Sequence, residues 1–113
     1  MKRDISILLE DILGSIKLIE KYLEMINNDK TIFMNTEWVQ DSVIRRLEII
    51  GEASKNIPSE FRAKNPEIPW KLIAGMRDVL IHGYFGINLE RVWNVVIDEI
   101  KELKKQIIGI KVD

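Results

Sequence analysis

His82 is the one histidine in a chain of 113 residues, and its imidazole is the only side chain whose ordinary pKa lies near neutrality. Such a group can take up or deliver a proton during a reaction. Arg77 lies five residues earlier, Asp78 four earlier and Tyr84 two later. A short stretch beside Gly83 and Gly86 therefore collects a permanent cation, a carboxylate, an imidazole and a phenol. Arg77 offers a planar, always charged array of donors for phosphate oxygens. Asp78 can orient the imidazole or raise its proton affinity. The plainer alternative is an ordinary helix end, with Arg77 and Asp78 solvated and Tyr84 packed as a cap on the core.

Those side chains can cooperate only if the backbone beneath them is suitably bent. On an ideal helix Asp78 and His82 stand about 40° apart, within reach of each other. Arg77 and His82 stand about 140° apart, so both face one cleft only if the helix distorts or ends near Ile81. Gly83 suits such an ending. The supporting elements read as helices throughout. From Asp4 to about Asn27, apolar residues including Ile5, Leu9, Ile12, Ile16, Ile19 and Leu23 recur at steps of three and four, which predicts a long first helix with one buried stripe. Asn27, Asn28 and Asp29 then favour a turn. A second helix starts near Asn35 or Thr36 as cap and buries Val39, Val43, Leu47, Ile50, Ala53 and Ile57, until Pro58 stops it.

The three prolines Pro58, Pro66 and Pro69 predict a loop with a short turn around Ser59 to Arg62. Pro69 suits the start of a third helix, from Trp70 through Ile73 and Met76 to about His82. Asn88 caps a fourth, whose stripe runs from Leu89 and Val92 to Leu103 and Ile107. No strand signal or repeat competes. The expected fold is all-α, an up-and-down bundle of four main helices with a short extra helical turn, in a single domain over 1–113.

Composition narrows the function classes. Hydrophobic residues make up 46% and charged residues 31%, proportions of a folded chain rather than a disordered one. A domain this small leaves much of its unfolded-chain surface exposed, so burial against a second copy is a natural source of stability. The absence of cysteine removes disulfides, thiolate catalysis and Cys-containing zinc sites. No apolar run approaches the length of a membrane span, and no targeting segment is evident, so a cytoplasmic location is expected. With 17 Lys and Arg against 18 Asp and Glu, the net charge of −1 provides no overall field to gather nucleic acid, although a cleft can still concentrate a few cations.

The string Arg77-Asp78-Val79-Leu80-Ile81-His82-Gly83-Tyr84 resembles the Arg, any four, His, any one, Tyr motif of HepT-like toxins, within the HEPN superfamily of α-helical ribonucleases. Ile44-Arg45-Arg46-Leu47-Glu48-Ile49-Ile50-Gly51-Glu52-Ala53 is similar to that family's second-helix segment, and Ile68-Pro69-Trp70-Lys71-Leu72-Ile73-Ala74-Gly75-Met76 to its approach to the motif. The resemblance implies a HEPN-like homodimer with paired motifs at the subunit interface, acting as a metal-independent endoribonuclease toxin without a cofactor. Its implied partner is a nucleotidyltransferase antitoxin, MntA-like, that neutralises the toxin by adding AMP to the motif tyrosine, here Tyr84.

The chemistry is coherent for RNA as substrate. RNA cleaves itself when its 2′-hydroxyl attacks the adjacent phosphate, given a base for that proton, an acid for the 5′-oxygen and positive charge on the transition state. His82 can transfer protons and Arg77 can hold the phosphate. One histidine cannot serve as base and acid in the same step, whereas a two-fold dimer supplies it twice. Glu48 and Glu52, one turn apart, could contribute to a Mg²⁺ site, but a solvated face or pairing with Arg45, Arg46 or Lys55 is the more economical reading. Glu52 is an auxiliary candidate for orienting Arg77. Trp38, Trp70 and Trp93 fit core or dimer-interface positions better than base-stacking platforms. The alternative function is a non-catalytic helical module that binds a nucleotidyltransferase, with a nucleotide at the Arg77 cleft.

Overall fold

The computed structural model describes residues 2–76, 81–82 and 86–110; for residues 2–4, 81–82 and 87 it is the backbone alone that is described. Helix α1 (Lys2–Glu24) buries Leu9, Ile12, Ile16, Ile19 and Leu23, the predicted stripe, and packs along α3 (Glu37–Lys55), which presents Val39, Val43, Leu47 and Ile50. Removing side chains of this size from water contributes about 1.5–3 kcal/mol each, which is why the paired stripes dominate the fold.

The turn after α1 falls on the asparagines. Asn27 and Asn28 have φ of 56° and 54°, the left-handed region that asparagine tolerates better than most residues. Asn28 N–H donates to the Leu23 carbonyl at 2.8 Å, which closes the helix C-terminus. A short helix that the sequence reading missed, α2 (Lys30–Met34), follows, capped by the Asp29 carboxylate accepting from Ile32 N–H at 3.0 Å. Its Phe33 is fully buried against Trp93, with ring centroids 5.2 Å apart. Thr36 stands at the cap of α3, but its hydroxyl donates back to the Ile32 carbonyl at 2.6 Å instead of capping the new helix.

The extra turn predicted near Ser59 is α4 (Ser59–Lys64). Beyond it α5 (Trp70–Ala74) begins one residue after Pro69. The third helix was expected to reach His82, but Ile81 and His82 are extended: β1 (Ile81–His82) pairs antiparallel with β2 (Gly86–Ile87). Two residues per strand give no alternating hydrophobic pattern, so this ribbon left no periodic trace in the sequence. The last helical rod comprises α6 (Leu89–Asn94), a π-helical turn (Val95–Glu99) and α7 (Ile100–Ile108). It buries Val92, Val95, Val96, Ile100, Leu103 and Ile107. Lys104 of this rod reaches the Glu20 carboxylate of α1 at 2.9 Å. The architecture is the expected all-α bundle, to which the structure adds one two-residue ribbon.

Candidate active site

Helix α5 leads into the motif, and several anchors fix it. Trp70 is buried, stacks edge-on to Phe61 at 6.4 Å, and donates its indole N–H to the Asn65 carbonyl at 3.0 Å. Gln106 of α7 donates its side-chain amide to the Glu67 carbonyl at 2.9 Å, tying the preceding loop to the last rod. Along its length α5 lies against α3 at Gly51, so closely that a Cβ there would sit 3.3 Å from the Ile73 carbonyl oxygen and 3.6 Å from that of Ala74. Backbone can approach backbone at this point because residue 51 has no side chain. Met76, buried at 5% exposure, is the last described residue before Arg77.

His82 enters through its backbone. It pairs with Gly86 across the small ribbon, so the chain reverses direction between them and their Cα atoms lie about 4.5–5.5 Å apart. Gly86 has φ +78°, a conformation that glycine adopts without the steric cost borne by other residues. Two residues later Asn88 accepts from Arg91 N–H at 3.0 Å and caps α6, as its position in the sequence indicated. The backbone at Ile81 and His82 is extended, so His82 does not stand on a continuous helix.

Arg77, Asp78 and Tyr84 lie outside the described residues, as does the side chain of His82. What is described is the frame around them. On one side, α5 and the last rod enclose an apolar groove of about 240 Å³, lined by Leu72, Ile73, Met76, Ile100 and Leu103 with Glu99 and Glu102 at its rim. Leu72 is 50% exposed there. A smaller cleft beside it is bounded by Leu72, Met76, Arg91, Val95 and Glu99.

A second, polar groove of about 460 Å³ runs between α1 and α3 and gathers Asp11, Arg45, Glu48, Glu52 and Asn56. Glu52 is exposed and Glu48 half-buried, so both glutamates of the second-helix segment face one solvated channel, and Glu52 stands next to the Gly51 contact with α5. Among the described residues no group of three or more His, Asp or Glu side chains is placed to hold a metal ion. Trp70 and Trp93 are buried as expected, whereas Trp38 is 51% exposed. Two residues of the frame escaped the sequence reading. Gly51 had a weak signal, a glycine tolerated inside a helical pattern at a cost of about 1 kcal/mol against alanine. Arg91 had none, being one of several charges on an amphipathic helix.

Comparison with known proteins places this frame. Residues 12–110 match the model of the HepT-like family, described as ribonuclease HepT-like, a span that includes Arg77, Asp78, His82 and Tyr84. Over 104 residues the chain is 48% identical to the "Probable ribonuclease HepT" of Thermococcus cleftensis, covering 92% of this chain and 93% of that protein. Over 110 residues it is 50% identical to the "Gamma-glutamylcyclotransferase and putative RNase" of Methanocaldococcus jannaschii. That alignment takes in 97% of this chain but 49% of the relative, so the chain spans about half the length of that larger protein. No solved structure matches the chain. Matched over nearly its whole length by the family model and by these relatives, the chain belongs to the HepT-like ribonuclease family.

Proposed function

We propose that this protein is a toxin that cleaves RNA within the strand, without a metal ion, using His82 and Arg77 of two subunits at a dimer interface. The observation that carries the reading is the family match across residues 12–110, which contains the full Arg77, His82, Tyr84 set. In the proposed reaction the 2′-hydroxyl of the substrate attacks its own phosphorus. One His82 accepts the hydroxyl proton, and His82 of the partner subunit gives a proton to the departing 5′-oxygen. Arg77 donates to the phosphate oxygens as negative charge builds there. Asp78 holds the imidazole in orientation, and Glu52 is a further candidate for steering Arg77.

The dimer is supported by the groove between α5 and the last rod. A half-exposed Leu72 beside Ile73, Met76 and Leu103 is apolar surface adjoining the motif, the place where a second copy would have to dock to bring two motifs together. Control by a nucleotidyltransferase antitoxin, which the family resemblance implies, is part of the proposal and acts through Tyr84. Attack of the Tyr84 oxygen on the α-phosphorus of ATP would form an O–P bond and release pyrophosphate, leaving bulk and negative charge where the RNA phosphate must lie. Among the described residues no helix is long and apolar enough to cross a membrane.

The direct test incubates the purified protein with RNA in EDTA and compares it with His82→Ala. Cleavage by the wild type, reduced by about 10²-fold or more in the variant, is expected for loss of a positioned proton-transfer group. Equal behaviour of the two proteins would favour the non-catalytic module that binds a nucleotidyltransferase.

A further inference from the structure

We propose that Arg91 is a second phosphate-binding residue of the RNA site, held in the free protein by Glu99 and released to the substrate backbone on binding. The inference rests on the ribonuclease reading given above. Arg91 stands in the first turns of α6, and with Val95 and Glu99 it forms one wall of a cleft whose other wall is Leu72 and Met76. Met76 is the residue before Arg77, so the Arg91 wall faces the end of the element that delivers the motif.

The π-helical turn creates this wall. In an unbroken α-helix, residues eight apart are about 80° apart around the axis. The slower winding of the π turn at Val95–Glu99 reduces that offset and brings Arg91 and Glu99 toward one side of the rod, and turns of this kind recur at functional sites. Val95 points inward at 1% exposure, while the two charged side chains remain at the rim.

The closest approach of the Arg91 guanidinium to the Glu99 carboxylate is 3.7 Å, with side-chain exposures of 40% and 35%. That distance exceeds a good hydrogen bond, whereas a guanidinium can bind an oxyanion through two parallel short donors. A surface pair of this quality is cheap to open. Glu99 therefore acts as a stand-in anion: it keeps Arg91 on the cleft wall and yields to a phosphate that accepts two hydrogen bonds.

The experiment measures KM and kcat for a single-stranded RNA over a range of salt concentrations, with wild type, Arg91→Met, Arg91→Lys and Glu99→Gln. Arg91→Met keeps the aliphatic stem and removes the charge. It should raise KM about 5- to 10-fold with kcat little changed, and lower the slope of log KM against log salt by about 0.7, the share of one phosphate contact on a single strand. Arg91→Lys should restore most of the salt slope. Glu99→Gln frees the guanidinium and should lower KM about two- to five-fold, the range of a surface ion pair. A purely structural ion pair predicts instead that Arg91→Met and Glu99→Gln both raise KM or leave it alone, and either pattern overturns the proposal. If Arg91→Met fails to fold, Glu99→Gln decides by itself, because release of a competitor and loss of a brace change KM in opposite directions. Failure of the wild type to cleave RNA overturns the ribonuclease reading and this inference together; cleavage by the wild type with KM unaltered in the variants overturns this inference alone.

Discussion

Gly51→Ala should separate the stability of this protein from its activity. The added Cβ would stand 3.3 Å from the Ile73 carbonyl oxygen and 3.6 Å from that of Ala74, both backbone atoms that cannot rotate away. To reach comfortable contact α5 must retreat by about 0.3 Å. Opposing the cost of that shift is a gain of about 0.5–1 kcal/mol from replacing glycine by alanine inside a helix. Overpacking penalties run at about 1–3 kcal/mol, so the net loss of stability should be at most about 2.5 kcal/mol. Activity responds differently. If a 1 Å misplacement of a catalytic group costs about 10²-fold, a 0.3 Å displacement of the helix that delivers Arg77 costs about four-fold in kcat. Thermal unfolding and single-turnover RNA cleavage measured side by side provide the assay. Gly51→Leu, which cannot be accommodated by so small a shift, should lose far more of both. Full wild-type kcat in Gly51→Ala, together with a Gly51→Leu variant as stable as wild type, would refute the idea that backbone contact at Gly51 sets the position of α5.

Further outcomes follow from individual contacts. Asn88→Ala removes the acceptor for Arg91 N–H and should cost about 1 kcal/mol, with faster amide exchange confined to the first turn of α6. Leu72→Asp places a charge on the apolar groove beside Met76 and should shift the protein toward monomer in light scattering, reducing cleavage while leaving the helical circular dichroism signal intact. Tyr84→Phe should retain much of the cleavage activity yet escape neutralisation by a co-expressed, catalytically active nucleotidyltransferase. Mass spectrometry should then find AMP on the wild-type peptide containing Tyr84 and none on the variant; full neutralisation of the Phe form without AMP would sink the modification mechanism.

The parts of the fold that were legible in the sequence are those with enough turns to show a period. Ile12, Ile16, Ile19 and Leu23 mark α1, and Val39, Val43, Leu47 and Ile50 mark α3, because burial of one stripe is the dominant demand on a long helix. Short elements carry no such period. Helix α2 has five residues and one buried side chain, Phe33, so a single apolar residue after an asparagine turn was its whole signal. The ribbon at Ile81–His82 and Gly86–Ile87 is set by backbone pairing and by the positive φ of Gly86, neither of which has a periodic signature. For the site, the types and spacing of Arg77, His82 and Tyr84 were plain, and so was the conflict of about 140° that an unbroken helix would impose. That the backbone is extended at Ile81 and His82 comes from strand pairing, which the spacing does not carry. Trp38, read as core or dimer interface, stands half-exposed in the single chain, which excludes the core position and is compatible with the interface one.

The chemistry of the cut ends tests the central claim most directly. When the wild-type protein digests a defined RNA in EDTA, mass spectrometry of the 5′ fragments should find a 2′,3′-cyclic phosphate or the 3′-phosphate formed by its opening, and His82→Ala should yield neither above background. Fragments ending in 3′-hydroxyl with 5′-phosphate on their partners, or cleavage abolished by EDTA and restored by Mg²⁺, would mean that metal-activated water attacks the phosphorus and would contradict the account.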